Sequence, residues 1–157
     1  MNQIRTARLI AMTVISILVL TIPVFAADNQ VGNWKLNLTK TTYGGPAPKS
    51  STNKIEVIKG GIRLIADGVD ADGKPTHDEY TVEYGGKDCP VKGDSGRTIA
   101  YKKIDDYTFD AVAKRNGKVT TTARLIYSKD GKTRTVIHTS IDAQGRKTEG
   151  TRVYDKQ

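Results

Sequence analysis

The chain has one cysteine, one tryptophan, two phenylalanines and two histidines among its 157 residues. Cys89 stands alone, which excludes an internal disulfide as a covalent staple. With only His77 and His138 available, no cluster has metal-ligand spacing. His77-Asp78-Glu79 has no second cluster to complete it and reads as a solvated triplet. Cys89 precedes Pro90 without a nearby base, and no serine occupies a nucleophile elbow. Catalysis therefore has no candidate residues, and the chain is read as a non-enzyme without metal or cofactor. One histidine would suffice to ligate a haem, but nothing else in the sequence points to one.

Runs of three or more Lys or Arg are also missing, although 25 basic residues outnumber 17 acidic ones. Charges alternate with polar residues along every segment. That pattern describes a solvated basic surface rather than a nucleic-acid footprint, so no nucleic-acid partner is expected.

The one long apolar run, from Leu9 to Phe25, lies behind MNQIRTARLI and ahead of PVFAADNQ. A basic start, an apolar middle and small residues at the exit form the layout of a secretory signal peptide. Val24 and Ala26 place cleavage after Ala26, giving a signal peptide over 1–26 and one domain over 27–157. The alternative is an uncleaved anchor. With cleavage, membrane contact ends with the signal, and the product is periplasmic or secreted. Losing Arg5 and Arg8 takes the net charge from +8 to +6.

Apolar residues are scarce in the remainder, 41 of the 131 residues after Ala26. That falls short of the usual 45–50%, a figure which also counts glycine. Seven tyrosines and many β-branched residues argue against disorder. What remains is a fold whose interior is partly polar or wet. Turn signals recur through the chain: ADGK (71–74), YGGK (84–87), DSGR (94–97), RNGK (115–118), KDGK (129–132) and AQGR (143–146). Between them lie segments rich in Val, Ile, Thr and Tyr, with no helical period of useful length. The spacing predicts ten strands near 31–38, 53–59, 62–68, 77–84, 87–92, 97–103, 107–114, 118–128, 132–141 and 146–155. One irregular loop is expected at 38–52, around Pro46 and Pro48. An all-β meander of ten strands hides its edges best as a closed antiparallel up-and-down barrel, with a two-sheet sandwich as the competing architecture.

Three stretches carry a family resemblance. VGNWKLN (31–37) resembles the Gly-x-Trp first strand of the calycins, the superfamily of lipocalins and fatty-acid-binding proteins. GTRVYDKQ (150–157) is similar to the closing strand of the fatty-acid-binding proteins, and VTTTARLI (119–126) to their eighth strand. The resemblance implies a barrel with Trp34 packed at its closed end. It also implies that Arg124, Arg152 and Tyr154 point inward to hold the carboxylate of a small hydrophobic ligand. Two forked guanidiniums and a phenol suit that task chemically. Enclosing two such cations without an anion costs several kcal/mol of desolvation. Strand parity leaves Arg124 open. It shares a face with Thr120, Thr122 and Ile126, whereas Ala123, Leu125 and Tyr127 make the more apolar side.

Two departures from the family stand out. The 38–52 loop takes the place of a helical lid, and an export signal is foreign to the intracellular branch. Together they suggest an exported, bacterial-style lipocalin-like domain. The second functional reading is a barrel filled by side chains, serving as an envelope interaction module with a basic surface. N-terminal sequencing of exported protein is expected to return Ala27. Recovery of Met1, or of a membrane-bound full-length chain, contradicts the processing.

Overall fold

Turns divide the chain into ten strands, as the spacing predicts. They are β1 (Gly32–Leu36), β2 (Ser50–Ile58), β3 (Gly61–Val69), β4 (Pro75–Glu83) and β5 (Cys89–Val91), then β6 (Asp94–Lys103), β7 (Thr108–Arg115), β8 (Lys118–Tyr127), β9 (Thr133–Ile141) and β10 (Lys147–Lys156). This computed structural model describes residues 29–157. The expected signal segment 1–26 lies outside the described residues. Each strand pairs antiparallel with its sequence neighbours, and β1 pairs with both β2 and β10, so the sheet closes. The outcome is the closed up-and-down barrel, not the sandwich.

Local chemistry explains the hairpins. Asn116 and Gly117 between β7 and β8 have φ of 49° and 77°, the left-handed pair that a tight two-residue hairpin requires. Strand β2 shows the alternation of a half-buried strand, with Asn53 and Ile55 buried and Thr52 and Lys54 exposed.

At the closed end Trp34 is fully buried, and its ring meets Tyr127 edge-on at 5.5 Å between centroids. Phe109 stands edge-on to Tyr127 in turn, at 5.9 Å. Trp34 Nε1 donates to the Gln30 carbonyl at 2.9 Å, so the indole is buried with its donor satisfied. Trp34 is therefore core, as the resemblance implies. Cys89 is half-buried on the short strand β5 and packs against the core.

The β1–β2 connection is shorter than the expected 38–52 loop, because Ser50–Thr52 pair with Asp67–Val69 and belong to β2. The chain leaves β1 in a small detour fastened by Asn37, whose Oδ1 accepts from the Thr39 and Lys40 amides at 3.1 Å each. It rejoins the β10 edge where Thr42 pairs with Thr151. Gly44 then passes so close to β10 that a Cβ there would lie 2.3 Å from the Glu149 carbonyl oxygen. Only glycine fits this approach. Beyond it Pro46 and Pro48 lie over the barrel mouth.

An ion network runs across the outer face from β2 to β4 and beyond. Lys54 meets Glu56 at 2.8 Å, Arg63 bridges Glu56 and Glu79 at 3.1 and 2.7 Å, and Lys92 meets Glu79 at 2.8 Å. Hydrogen bonds from Lys92 and then Arg63 hold the Glu79 carboxyl down from its ordinary 4.5 to about 2. A depressed carboxyl contributes stability that is present above pH 4.5 and lost as the pH falls towards 2. The drop in thermal midpoint across that window is therefore expected to be shallower in Glu79→Gln; an unchanged profile contradicts this. Gly44→Ala is expected to speed limited proteolysis within 43–49 while leaving the far-ultraviolet circular dichroism intact. Unchanged cleavage would mean that the close approach is not what fastens the segment.

Candidate functional site

Above the aromatic plug the barrel encloses a cavity of about 490 Å³. Its floor is built by register. On β9, Arg134 lies directly opposite Tyr154 of β10 and Tyr127 of β8, so all three side chains share the inner face. Arg134 is 3% exposed. Its guanidinium stacks on the Tyr154 ring at 4.2 Å and lies 5.8 Å from the Trp34 ring centre. Nη2 donates to the Asn53 Oδ1 on β2, while Nε and Nη1 make no hydrogen bond of good geometry.

Acid partners are absent from this floor. No ion pair among the described residues involves Arg134 or Arg152. The nearby phenols do not substitute for a counter-charge. Tyr80 and Tyr101 share a 3.1 Å hydrogen bond between their hydroxyls. Burial pushes Tyr80 up to about 12 and Tyr101 well above its ordinary value, so both are neutral at physiological pH. Arginine, by contrast, keeps its charge in proteins. The floor is thus a buried cation beside neutral hydrogen-bonding groups.

One residue pair higher on β10, Arg152 also lines the cavity, and its buried Nε has no hydrogen-bond partner. His138 on β9 contributes a buried Nδ1 that is likewise unpartnered. Burial and then the Arg152 charge push the His138 pKa down, so the imidazole is neutral at pH 7. Above the floor the wall is aliphatic and small, formed chiefly by Ala66, Ile99, Ala111, Ala123, Leu125 and Val136. The rim turns polar again, with Ser51, Thr76, Ser140 and an Asp78–Arg97 ion pair at 2.5 Å.

Of the three residues that the resemblance implies, the structure brings Arg152 and Tyr154 together on the cavity wall. Arg124 is a correction. It points outward, 55% exposed, and grips Asp110 through Nε and Nη2 at 2.8 and 3.0 Å. The physical reason is alternation. Thr121, Ala123, Leu125 and Tyr127 take the interior of β8, which turns Arg124 to solvent opposite its cross-strand partner Asp110. The cation that does occupy the floor, Arg134, is a residue the sequence reading passes over. Its signal is the register of the β9–β10 hairpin, which pairs it with Tyr154. His77 is exposed and meets Asp67 at 2.6 Å at the mouth.

No family model matches the chain, and no curated protein matches it. Among solved structures the chain is similar to lobster apocrustacyanin A1, with 9% identity, 84% of this chain covered and a TM-score of 0.46. It spans 63% of that longer chain. It is also similar to As-p18, described as an extracellular fatty acid binding protein, at 14% identity over 83% of this chain and 97% of the other, TM-score 0.49. The siderocalin Ex-FABP, described as functioning through dual ligand specificities, aligns at 9% identity over 82% of this chain and 71% of its own, TM-score 0.36. These likenesses concern the fold alone. The architecture itself is ten antiparallel strands closed in sequence order into an up-and-down barrel with a cavity inside.

Proposed function

We propose that this protein is an exported carrier that holds a small, partly apolar anion inside its barrel, with no reaction step of its own. The observation that carries the reading is Arg134, a guanidinium buried on the cavity floor with no carboxylate partner. Burying an uncompensated charge is costly, and such groups are ordinarily paired. A ligand anion would supply the missing partner. Arg134, Arg152 and the Tyr154 hydroxyl would then converge on one carboxylate, with the aliphatic wall receiving the carbon skeleton. The void of about 490 Å³ counts against the alternative of a side-chain-filled interaction module. Export, inferred from the signal layout of 1–26, would place the carrier in the periplasm or outside the cell.

Each charge-assisted hydrogen bond to the carboxylate contributes roughly 1.5–3 kcal/mol. Arg152→Ala is therefore expected to weaken binding of a medium-chain carboxylate by about tenfold or more. Arg134→Met should abolish measurable binding, yet leave the ligand-free protein no less stable, because a poorly compensated cation is gone. Arg124→Ala is the control and should bind as wild type. Calorimetric titration with decanoate and dodecanoate checks all three. Equal affinity in wild type, Arg134→Met and Arg152→Ala rejects the anion-binding role.

A further inference from the structure

We infer that the ligand is polar at both ends: an anion at the floor, an aliphatic middle, and at the far end a group that donates a hydrogen bond to Asp78. This deepens the anion-carrier reading and rests on it. The argument comes from the height of the aliphatic wall and from what lies above it. Along β9, His138 lies four residue steps beyond Arg134, roughly 13 Å of strand at about 3.3 Å per residue. A strand tilt of about 35–45° shortens that to roughly 10 Å of barrel depth. This middle belt is mostly aliphatic, interrupted on β10 by Arg152, which lies opposite Val136.

Above the belt the cavity wall changes character. Asp78 of β4 and Arg97 of β6 face the same space and hold each other at 2.5 Å. The bond uses one oxygen of Asp78 and one nitrogen of Arg97. Asp67 and Asp70 follow at the mouth. A plain alkyl tail longer than the belt has to lie against this pair and against the hydroxyls of Ser51, Thr76 and Ser140. Doing so takes polar groups out of water without replacing their hydrogen bonds, which is costly. A terminal hydroxyl or amine makes the lost bonds instead. Three carboxylates, Asp67, Asp70 and Asp78, outnumber the one arginine at this rim, Arg97, which is already paired with Asp78. A second carboxylate would meet that excess of negative charge, whereas a neutral or cationic donor meets acceptors. Sites built to bond a ligand hydroxyl reject the analogue that lacks it more strongly than apolar pockets reject an added one.

The test compares decanoate and dodecanoate with their ω-hydroxy and ω-amino counterparts and with the matching α,ω-dicarboxylates, by calorimetry on the wild-type chain. The ω-hydroxy or ω-amino acid is expected to bind at least fivefold tighter than its parent at one or both lengths, and the dicarboxylate weaker than the parent. In Asp78→Ala, which removes the acceptor, that advantage should fall to within twofold. If parent acids bind and the ω-substituted acids bind no tighter at either length, the two-ended ligand is overturned while the anion carrier stands. If the advantage persists in Asp78→Ala, the assignment of the far group to Asp78 is overturned. If none of the acids binds, the anion-carrier reading fails, and this inference falls with it.

Discussion

A guanidinium enclosed without a counter-ion is the constraint around which this barrel is arranged. Arg134 stands where nothing carries an opposite charge, and its surroundings are fitted to hold it there. Tyr154 offers the face of its ring, Trp34 lies below, and Asn53 accepts one of its N–H groups. A stacked, amide-bonded arginine is oriented but not neutralised. It lines a cavity that Tyr80 and Tyr101, kept uncharged by burial, also bound. An interior organised this way is the support for the proposed anion-carrier reading.

The low apolar content of the chain follows from the same arrangement. Closing ten strands leaves more volume than the inward side chains fill. Here the large residues are gathered at one end, where Trp34, Phe109 and Tyr127 interlock. Alanines dominate the next level, on β3, β7 and β8, and the void begins where they do. Stability is thus concentrated in the plug and in the ladders. The outer ion network around Glu79 adds to it without entering the cavity. Gly44 passes close against β10, and Pro46 and Pro48 line the cavity beyond it.

Much of the fold was legible in the sequence because its hairpins announce themselves. Asn116-Gly117 needs left-handed backbone, and both residues adopt it. The inward pair Arg152 and Tyr154 follows from parity once β10 is given one buried face. Arg124 was not legible from the resemblance, because a motif match carries no parity. The more apolar alternate positions of β8 decide which side faces in, and they turn Arg124 out. Arg134 was hidden by a pattern that misleads. On β9 the alternate set Thr133, Thr135 and Ile137 looks the better inner face, yet Ile137 is exposed while Arg134, Val136 and His138 line the cavity. Residue type favoured one face and cross-strand register imposed the other. Tyr154 facing inward obliges its direct partner to do the same.

The central claim is that an ionised carboxylate sits against Arg134 on a water-poor floor. Carbon-13 resonance of decanoate labelled at its carboxyl carbon, titrated while bound, reads that group directly. Neighbouring cations favour the charged form of an acid, whereas an apolar site without them favours the neutral form. The account predicts a titration midpoint well below that of free decanoate, shifting back towards it in Arg152→Ala. A bound midpoint at or above the free value would contradict it, because the head group would then lie away from the two arginines.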